Sequence, residues 1–217
     1  MTTPRTDQPV EVLEVSESRA DRKERTRQSI LDAALTLTAD SSLVAVSLRQ
    51  VAKEVGVVPT AFYRHFDSME SLGLALVEES VVALRRMLRE VWRQAPEFRD
   101  FIDGSLPLVA SHVRAHPQHY AFIVRERVAG PPRVREAIRH EIELITRELA
   151  ADVSRVPGSD VFSPEHLNLL ADLIVSSVVT TAERLVDQPE QEERIIAATR
   201  TQLRMLLIGG LNWRSPR

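Results

Sequence analysis

Residues 60–65 place hydroxyl, guanidinium and imidazole groups close together along the chain. The hydroxyls of Thr60 and Tyr63, the guanidinium of Arg64 and the ring of His65 can all donate hydrogen bonds. Such donors suit phosphate oxygens and the polar edges of nucleic-acid bases. The segment is therefore a candidate recognition surface.

The flanking sequence predicts two short helices that would present this surface. Ser47 suits a helix N-cap, and apolar residues follow at helical spacing until Gly56, which suits a left-handed stop. Pro59 suits the first turn of a second helix, whose inward side would carry Phe62 and Phe66. Its outer face would consist of Thr60, Ala61, Tyr63, Arg64 and His65. The pattern favours a helix-turn-helix that reads a DNA major groove, although an ordinary helical corner with a polar outer face has the same pattern.

Helical periodicity continues through nearly all of the remaining sequence, and no alternating strand pattern of useful length occurs. Prolines and glycines divide the chain into about nine predicted helices. We predict an all-α fold with a disordered tail at 1–18, a three-helix domain at 19–67 and a larger helical domain at 68–213.

The composition excludes several classes of function. The 217 residues include no cysteine, which excludes disulfide scaffolds, thiolate metal sites and cysteine nucleophiles. Motifs of phosphate-binding loops, serine hydrolases and zinc peptidases are absent, so we expect a binding protein without a cofactor rather than an enzyme. His112, His116 and His119 are close in sequence, but Pro117 interrupts their helical spacing and we expect no metal site.

The formal net charge of −3 conceals an uneven distribution. Residues 19–66 hold eight basic and five acidic side chains, whereas residues 1–18 and 67–217 are each at −3. A basic N-terminal domain in an otherwise acidic chain favours a nucleic-acid contact at that end. The sequence contains neither a signal peptide nor the roughly 18 apolar residues of a membrane span, so we expect a cytoplasmic protein.

Residues 22–72 resemble the N-terminal DNA-binding domain of the TetR family. The matching pieces are Arg27, Ile30–Leu31, Ala33–Ala34, Ser47–Leu48–Arg49, Val51–Ala52, Gly56–Val57, Phe62–Tyr63–Arg64–His65–Phe66 and Leu72. The resemblance implies a homodimer on a palindromic double-stranded operator, with a C-terminal domain for ligand binding and dimerisation. By position, it implies DNA contacts from Arg22, Lys23, Arg25, Ser47, Arg49, Thr60, Tyr63 and His65. Val58 and Met69 depart from the family pattern, which often has a serine cap and a phosphate-binding lysine there.

A narrower resemblance, to the FabR/DesT branch of the family, extends to residue 213. It rests on Pro59–Thr60, Leu72–Gly73–Leu74, Glu79–Ser80, Arg125–Glu126–Arg127, Gln202–Leu203–Arg204–Met205, Gly209 and Trp213. The branch implies a repressor of fatty-acid synthesis genes whose DNA affinity is tuned by long-chain acyl-CoA. The alternative is a repressor of an efflux or catabolic operon that another hydrophobic small molecule releases.

Apolar residues at helical spacing could line a slot for an acyl chain, although such residues more often form plain core. The candidates are Phe98, Phe101, Ile102, Leu106, Val109, Phe122 and Ile123. Segment 125–139 holds five arginines and two acids, and its Arg125 and Arg127 could neutralise coenzyme A phosphates. A solvated arginine-rich face and structural ion pairs between helices remain open for the same residues. The helices predicted at 164–187 and 189–209 have broad apolar faces that could form a four-helix dimer interface or pack internally.

Overall fold

A computed structural model describes residues 18–94 and 97–213, except for the side chains of Ala83, Phe98 and Leu211. These residues form nine α-helices and no strand, which confirms the all-α prediction. The helices are α1 Arg19–Leu37, α2 Leu48–Val55, α3 Pro59–Phe62, α4 Met69–Gln94, α5 Phe98–Ala115, α6 Pro117–Ala129, α7 Pro132–Val153, α8 Pro164–Asp187 and α9 Glu192–Leu211. Apart from Ser18, the predicted tail lies outside the described residues.

The N-terminal three helices are held by a small apolar core. Ile30 and Ala34 of α1, Val51 of α2 and Phe62 of α3 have no measurable exposure. Ser18 begins α1 with a reciprocal capping box, because its hydroxyl accepts from the Asp21 amide and the Asp21 carboxylate accepts from the Ser18 amide. The small domain is therefore a defined support for the side chains on its surface.

The long helix α4 leaves this domain and packs against α5 and α7 of the C-terminal domain. Leu72 and Leu76 near its start are fully buried, and Leu88 and Trp92 near its end are almost so. One continuous apolar core therefore extends from α1 to α9.

Prolines set most of the remaining helix boundaries, as predicted. Pro117, Pro132 and Pro164 lie in the first turns of α6, α7 and α8, where a missing amide costs no helical hydrogen bond. Pro107 lies inside α5, which continues through it. No helix in the described part of the chain is both long enough and apolar enough to span a bilayer.

Candidate nucleic-acid interface and ligand cavity

A capping box fixes the start of α2. The Gln50 side-chain oxygen accepts from the Ser47 amide at 2.9 Å and from the Ser47 hydroxyl at 2.7 Å. The helix ends at Gly56, whose φ of 76° lies in the left-handed region that favours glycine. The adjacent Val57 amide donates to the Ala52 carbonyl at 2.9 Å, so the turn between α2 and α3 is closely defined.

Helix α3 is shorter than the sequence predicts. It contains one helical turn, and residues 63–65 continue as a turn in which the His65 amide donates to the Phe62 carbonyl at 2.9 Å. The predicted outer surface is nevertheless presented: Thr60, Tyr63 and Arg64 are exposed, and Ala61 and His65 are half-buried. The rings of Phe62 and Phe66, 5.8 Å apart, lie beneath that surface.

Helix α1 contributes basic side chains next to this turn. Arg22, Lys23 and Arg25 are exposed, and the Arg27 guanidinium lies 5.2 Å from the centre of the Phe66 ring. Burial, followed by the positive charges of Lys23 and Arg27, lowers the pKa of His65. The α1 cations therefore lie close enough to the recognition turn to act on His65, and the Glu24 carboxylate partly opposes them.

Arg49 is exposed on α2, as the predicted DNA contact requires. Ser47 is exposed as well, but its hydroxyl already takes part in the capping box. Val58, the N-cap residue of α3, makes no side-chain capping bond and is 65% exposed. Pro59 in the first turn favours the start of the helix instead, because its fixed φ angle is already close to the helical value.

A cavity of about 120 Å³ lies between the helices α4 to α9 of the C-terminal domain. Six of the predicted ligand residues line it: Phe101, Ile102, Leu106, Val109, Ile123 and Arg127. Phe122 is fully buried but does not line the cavity, and neither does Arg125. The side chain of Phe98 lies outside the described part of the chain.

Four other helices, α4, α7, α8 and α9, supply cavity walls that were not predicted from the sequence. These walls include Leu84, Leu88 and Trp92 of α4, Ile142, Ile145 and Leu149 of α7, Val175, Val178 and Ala182 of α8, and Leu203 and Leu207 of α9. Their helical spacing indicated a buried face, but a cavity wall and a filled core use the same residue types. Only the assembled helices distinguish the two.

The polar side chains that line the cavity each contact another side chain or the backbone. The Trp92 indole donates to the Ser105 hydroxyl at 2.9 Å, and the Ser80 hydroxyl donates to the Leu76 carbonyl at 2.6 Å. The remaining three contacts are Tyr120 hydroxyl with His112 Nδ1 at 2.9 Å, His119 Nε2 with Glu79 at 4.0 Å, and Arg127 with Glu183. The cavity therefore offers an incoming molecule a predominantly apolar wall.

Burial governs the titration of the groups at the α5–α6 end of the cavity. It lowers the pKa values of His112 and His119 and raises the pKa of Tyr120. For His112 the neighbouring imidazoles act in the same direction, whereas the Glu79 carboxylate partly opposes the shift of His119. Among the described residues there is no group of three metal-ligating side chains that could hold an ion.

The arginine-rich segment 125–139 forms contacts within the fold. Arg125 donates to the Thr38 carbonyl, Arg127 pairs with Glu183, Arg133 lies 3.5 Å from Glu70, Arg135 donates to the Gly130 carbonyl at 2.6 Å, and Arg139 pairs with Glu136 at 2.8 Å. Arg127 and Arg133 therefore form ion pairs between helices, Arg125 and Arg135 donate to backbone carbonyls, and the exposed Arg139 pairs within its own helix.

Exposed apolar side chains occur at helical spacing on α8 and α9. Leu169 and Leu173 are 55% and 53% exposed, and Met205 and Ile208 are 68% and 63% exposed. Leu170 and Leu203 on the same helices are buried, so both helices have an inner and an outer apolar side. The outer sides are candidates for contact with a second copy of the chain.

Comparisons with known proteins agree with this architecture. Residues 30–76 match the family model described as bacterial regulatory proteins of the tetR family, and residues 101–209 match a tetracyclin repressor-like C-terminal domain. The latter match alone covers about half of the chain.

Several solved structures share the fold at low sequence identity. A putative TetR-family transcriptional regulator from Syntrophomonas wolfei superposes with a TM-score of 0.72 at 14% identity, covering 85% of this chain and 96% of that one. The fatty acid degradation regulator FadR from Bacillus halodurans gives 0.69 at 17% identity, with 87% and 97% covered. The MbdR regulator from Azoarcus sp. CIB gives 0.67 at 16% identity, with 82% and 96% covered. Together with the helix-turn-helix described above, the matched models show that this chain belongs to the TetR family of bacterial transcriptional regulators.

Proposed function

We propose that this regulator represses genes of fatty-acid metabolism and that a long-chain acyl-CoA in the C-terminal domain modulates its affinity for DNA. The observation that carries the proposal is the apolar cavity between α4 and α9, since an acyl chain needs such a wall. The Bacillus halodurans regulator of this fold is, by its name, a regulator of fatty acid degradation. The FabR/DesT resemblance points to the same class of metabolism.

For DNA binding, the proposal assigns the exposed side of the N-terminal domain to a major groove. Tyr63 and Arg64 are exposed beside His65, and Arg22, Lys23 and Arg25 approach the phosphate backbone from α1. Regulators of this family act as dimers, and a dimer presents two such surfaces to a palindromic operator. We assign the subunit contact of this chain to the outer apolar sides of α8 and α9.

For the effector, the proposal places the acyl chain in the cavity and the coenzyme A portion beyond its wall. Arg127 is the cationic residue on that wall and the expected partner of the thioester end. Arg125 was expected to share this role, but its guanidinium donates to the Thr38 carbonyl in the N-terminal domain. Thioester affinity should therefore depend on Arg127 more than on Arg125.

The DNA assignment is tested by a Tyr63→Phe, His65→Ala double variant in a binding assay with an operator selected from random DNA. We expect affinity to fall by at least about 30-fold, because each lost contact costs roughly 1–3 kcal/mol. Arg139→Gln is the matched control, since Arg139 pairs only with Glu136 on the surface of its own helix in the described contacts. Unchanged binding by the double variant would refute the DNA assignment.

The effector assignment is tested with oleoyl-CoA and the intrinsic fluorescence of Trp92, which lines the cavity. We expect micromolar oleoyl-CoA to change this fluorescence and to shift DNA affinity, and a Trp92→Phe variant to lose the optical signal. If the thioester alters neither property, the fatty-acid proposal fails and the assignment as a DNA-binding regulator stands.

A second candidate is the repressor of an efflux or catabolic operon that responds to an uncharged hydrophobic molecule. The observation in its favour is that the five arginines of segment 125–139 already contact partners in the fold. The same fluorescence titration with a long-chain alcohol separates the candidates. A response to the alcohol without a response to oleoyl-CoA would favour the second.

A further inference from the structure

Three consecutive residues of α6, Arg125–Glu126–Arg127, contact two different domains. Arg125 donates to the Thr38 carbonyl at the end of α1, and Glu126 accepts from the segment that follows. Arg127 instead lines the cavity and pairs with Glu183 of α8. A contact with the DNA-binding domain and a contact with the cavity are thus adjacent in one helix.

Glu126 is the polar centre of the domain contact. One of its carboxylate oxygens accepts from the Leu43 amide at 2.9 Å, and the other accepts from the Ser42 hydroxyl at 3.1 Å. Glu126 has no exposed surface, so loss of these donors would leave a buried acceptor unsatisfied. The two bonds therefore fix the 42–45 turn, which connects α1 to α2, against α6.

The surroundings leave little freedom at this contact. A side chain on Gly130 would bring its Cβ within 2.7 Å of a Glu126 carboxylate oxygen. On the apolar side, a Cβ on Gly73 of α4 would lie 2.5 Å from Leu43 and 2.9 Å from Val134. Leu43 is only 2% exposed, so the turn is held by packing as well as by hydrogen bonds.

We propose that Arg125–Glu126–Arg127 couples the cavity to the DNA-binding domain. Glu126 and Arg125 hold the 42–45 turn, and the Arg127–Glu183 ion pair breaks when a molecule binds in the cavity. The inference rests on the proposed function in requiring that cavity occupancy changes DNA affinity. An occupant that displaces Arg127 from Glu183 shifts α6, and α6 carries the bound turn with it. The effect on DNA follows from the different affinities of the occupant for the two positions of α6.

The first test concerns the contact itself and needs no effector. Amide hydrogen exchange of peptide 38–46 is compared in the wild type, in Glu126→Ala and in Arg139→Gln. We expect Glu126→Ala, which removes both acceptor oxygens, to speed exchange at the Leu43 amide and to weaken operator binding by about tenfold, within the range of allosteric couplings. Ser42→Ala, which removes the hydroxyl but leaves the bond from the Leu43 amide to Glu126, should have the same effects on a smaller scale. Unchanged exchange in both variants would overturn the role of Glu126.

The second test concerns the signal from the cavity. Glu183→Gln removes the negative charge that pairs with Arg127 without altering a residue that lines the cavity or is assigned a DNA contact. We expect this variant to bind oleoyl-CoA, as reported by Trp92, and to have the operator affinity of the oleoyl-CoA-bound wild type, which added oleoyl-CoA then leaves unchanged. A full effector response in Glu183→Gln would overturn the proposal.

A cavity-filling variant keeps the proposal testable if oleoyl-CoA is not the effector. Val178→Phe introduces a ring into the cavity from α8 without any added molecule. We expect it to change operator affinity in the wild-type background and to have no such effect together with Glu183→Gln. An equal effect in both backgrounds would exclude the Arg127–Glu183 pair as the route, whereas failure of oleoyl-CoA alone would refute only the fatty-acid effector.

Discussion

The N-terminal recognition surface and the C-terminal cavity differ in how their residues are distributed along the chain. Residues 47–66 contain most of the candidate DNA contacts, and a single turn between α2 and α3 orders them. The cavity takes its walls from six helices, and its lining residues extend from Ser80 to Leu207. A local surface can be recognised as a motif, whereas a cavity is a property of the assembled fold.

The two regions also differ in chemistry. The recognition surface is exposed and rich in cations, so its binding depends on charge. The cavity is apolar, and its few polar side chains contact other side chains or the backbone, so its binding depends on contact area and shape. Salt, side-chain truncation and pH should therefore act unequally on the two regions.

Salt provides the largest expected contrast. Raising it from about 50 to about 200 mM should reduce operator affinity by roughly 10³–10⁵-fold if the dimer makes about six to ten phosphate contacts. Occupation of the cavity by a long-chain alcohol, measured through Trp92, should change by less than about threefold because no charge is neutralised. A flat response of operator binding would contradict the electrostatic account of the surface.

Truncation of Phe62 tests the support of the recognition surface. Phe62→Ala removes a ring with no exposed surface and should lower the free energy of unfolding by about 3–5 kcal/mol. Its neighbour Tyr63, at 58% exposure, provides the matched control: Tyr63→Ala should change stability by less than about 0.5 kcal/mol while it weakens DNA binding. Urea denaturation and operator titration of both variants make the measurement. Equal destabilisation by the two changes would show that Tyr63 is structural.

Truncation of a side chain beside the cavity should lower the free energy of unfolding less than truncation of a side chain in the filled core. Ile138 is 1% exposed and does not line the cavity, so Ile138→Ala should cost about 2–5 kcal/mol. Ile123 is only partly buried and faces existing empty space, so Ile123→Ala should cost about 1 kcal/mol. Denaturation curves of the two variants give their free energies of unfolding. A larger loss of stability in Ile123→Ala than in Ile138→Ala would contradict the place of Ile123 at the cavity wall.

A fall in pH should have the smallest effect of these changes, and it should act on the stability of the folded protein. The pKa values of His112 and His119 lie below the ordinary 6.5 in the folded protein, so the unfolded chain binds more protons as the pH falls through that value. The stability that the neutral rings contribute is complete above about pH 6.5 and is lost progressively below it. Melting curves between about pH 7.5 and 5.5 should show a decline that His119→Asn reduces. If the melting temperature does not decline, or if His119→Asn leaves the decline unchanged, the histidines are not the source of the pH dependence.

The contrast between the regions explains what the sequence could predict. Gly56 and Pro59 mark their helix boundaries by backbone chemistry, and both boundaries are confirmed. The end of α3 was placed too late, because residues 63–65 keep helix-like spacing while they form a turn. The helix-turn-helix pattern, the basic charge of residues 19–66 and the family resemblance of residues 22–72 all indicated a DNA-binding domain, and the matched family model supports it.

The arginines of α6 show why the rest could not be predicted. Arg125 and Arg127 have the same type and lie two positions apart, yet one binds the N-terminal domain and the other lines the cavity. Glu126 between them has no exposed surface, although its sequence context is highly charged. Which helix covers each side chain depends on tertiary packing, and the local sequence pattern does not contain that information.

Selection of binding sites from a random double-stranded DNA pool, with the wild-type protein and the Tyr63→Phe, His65→Ala variant in parallel, tests the central claim most directly. The account predicts that the wild type enriches a palindrome whose half-sites are about one helical turn apart, or a multiple of that distance, as two symmetric recognition turns require. It also predicts that the variant fails to enrich that sequence. Absence of any enriched sequence with the wild type, or equal enrichment by both proteins, would contradict the account.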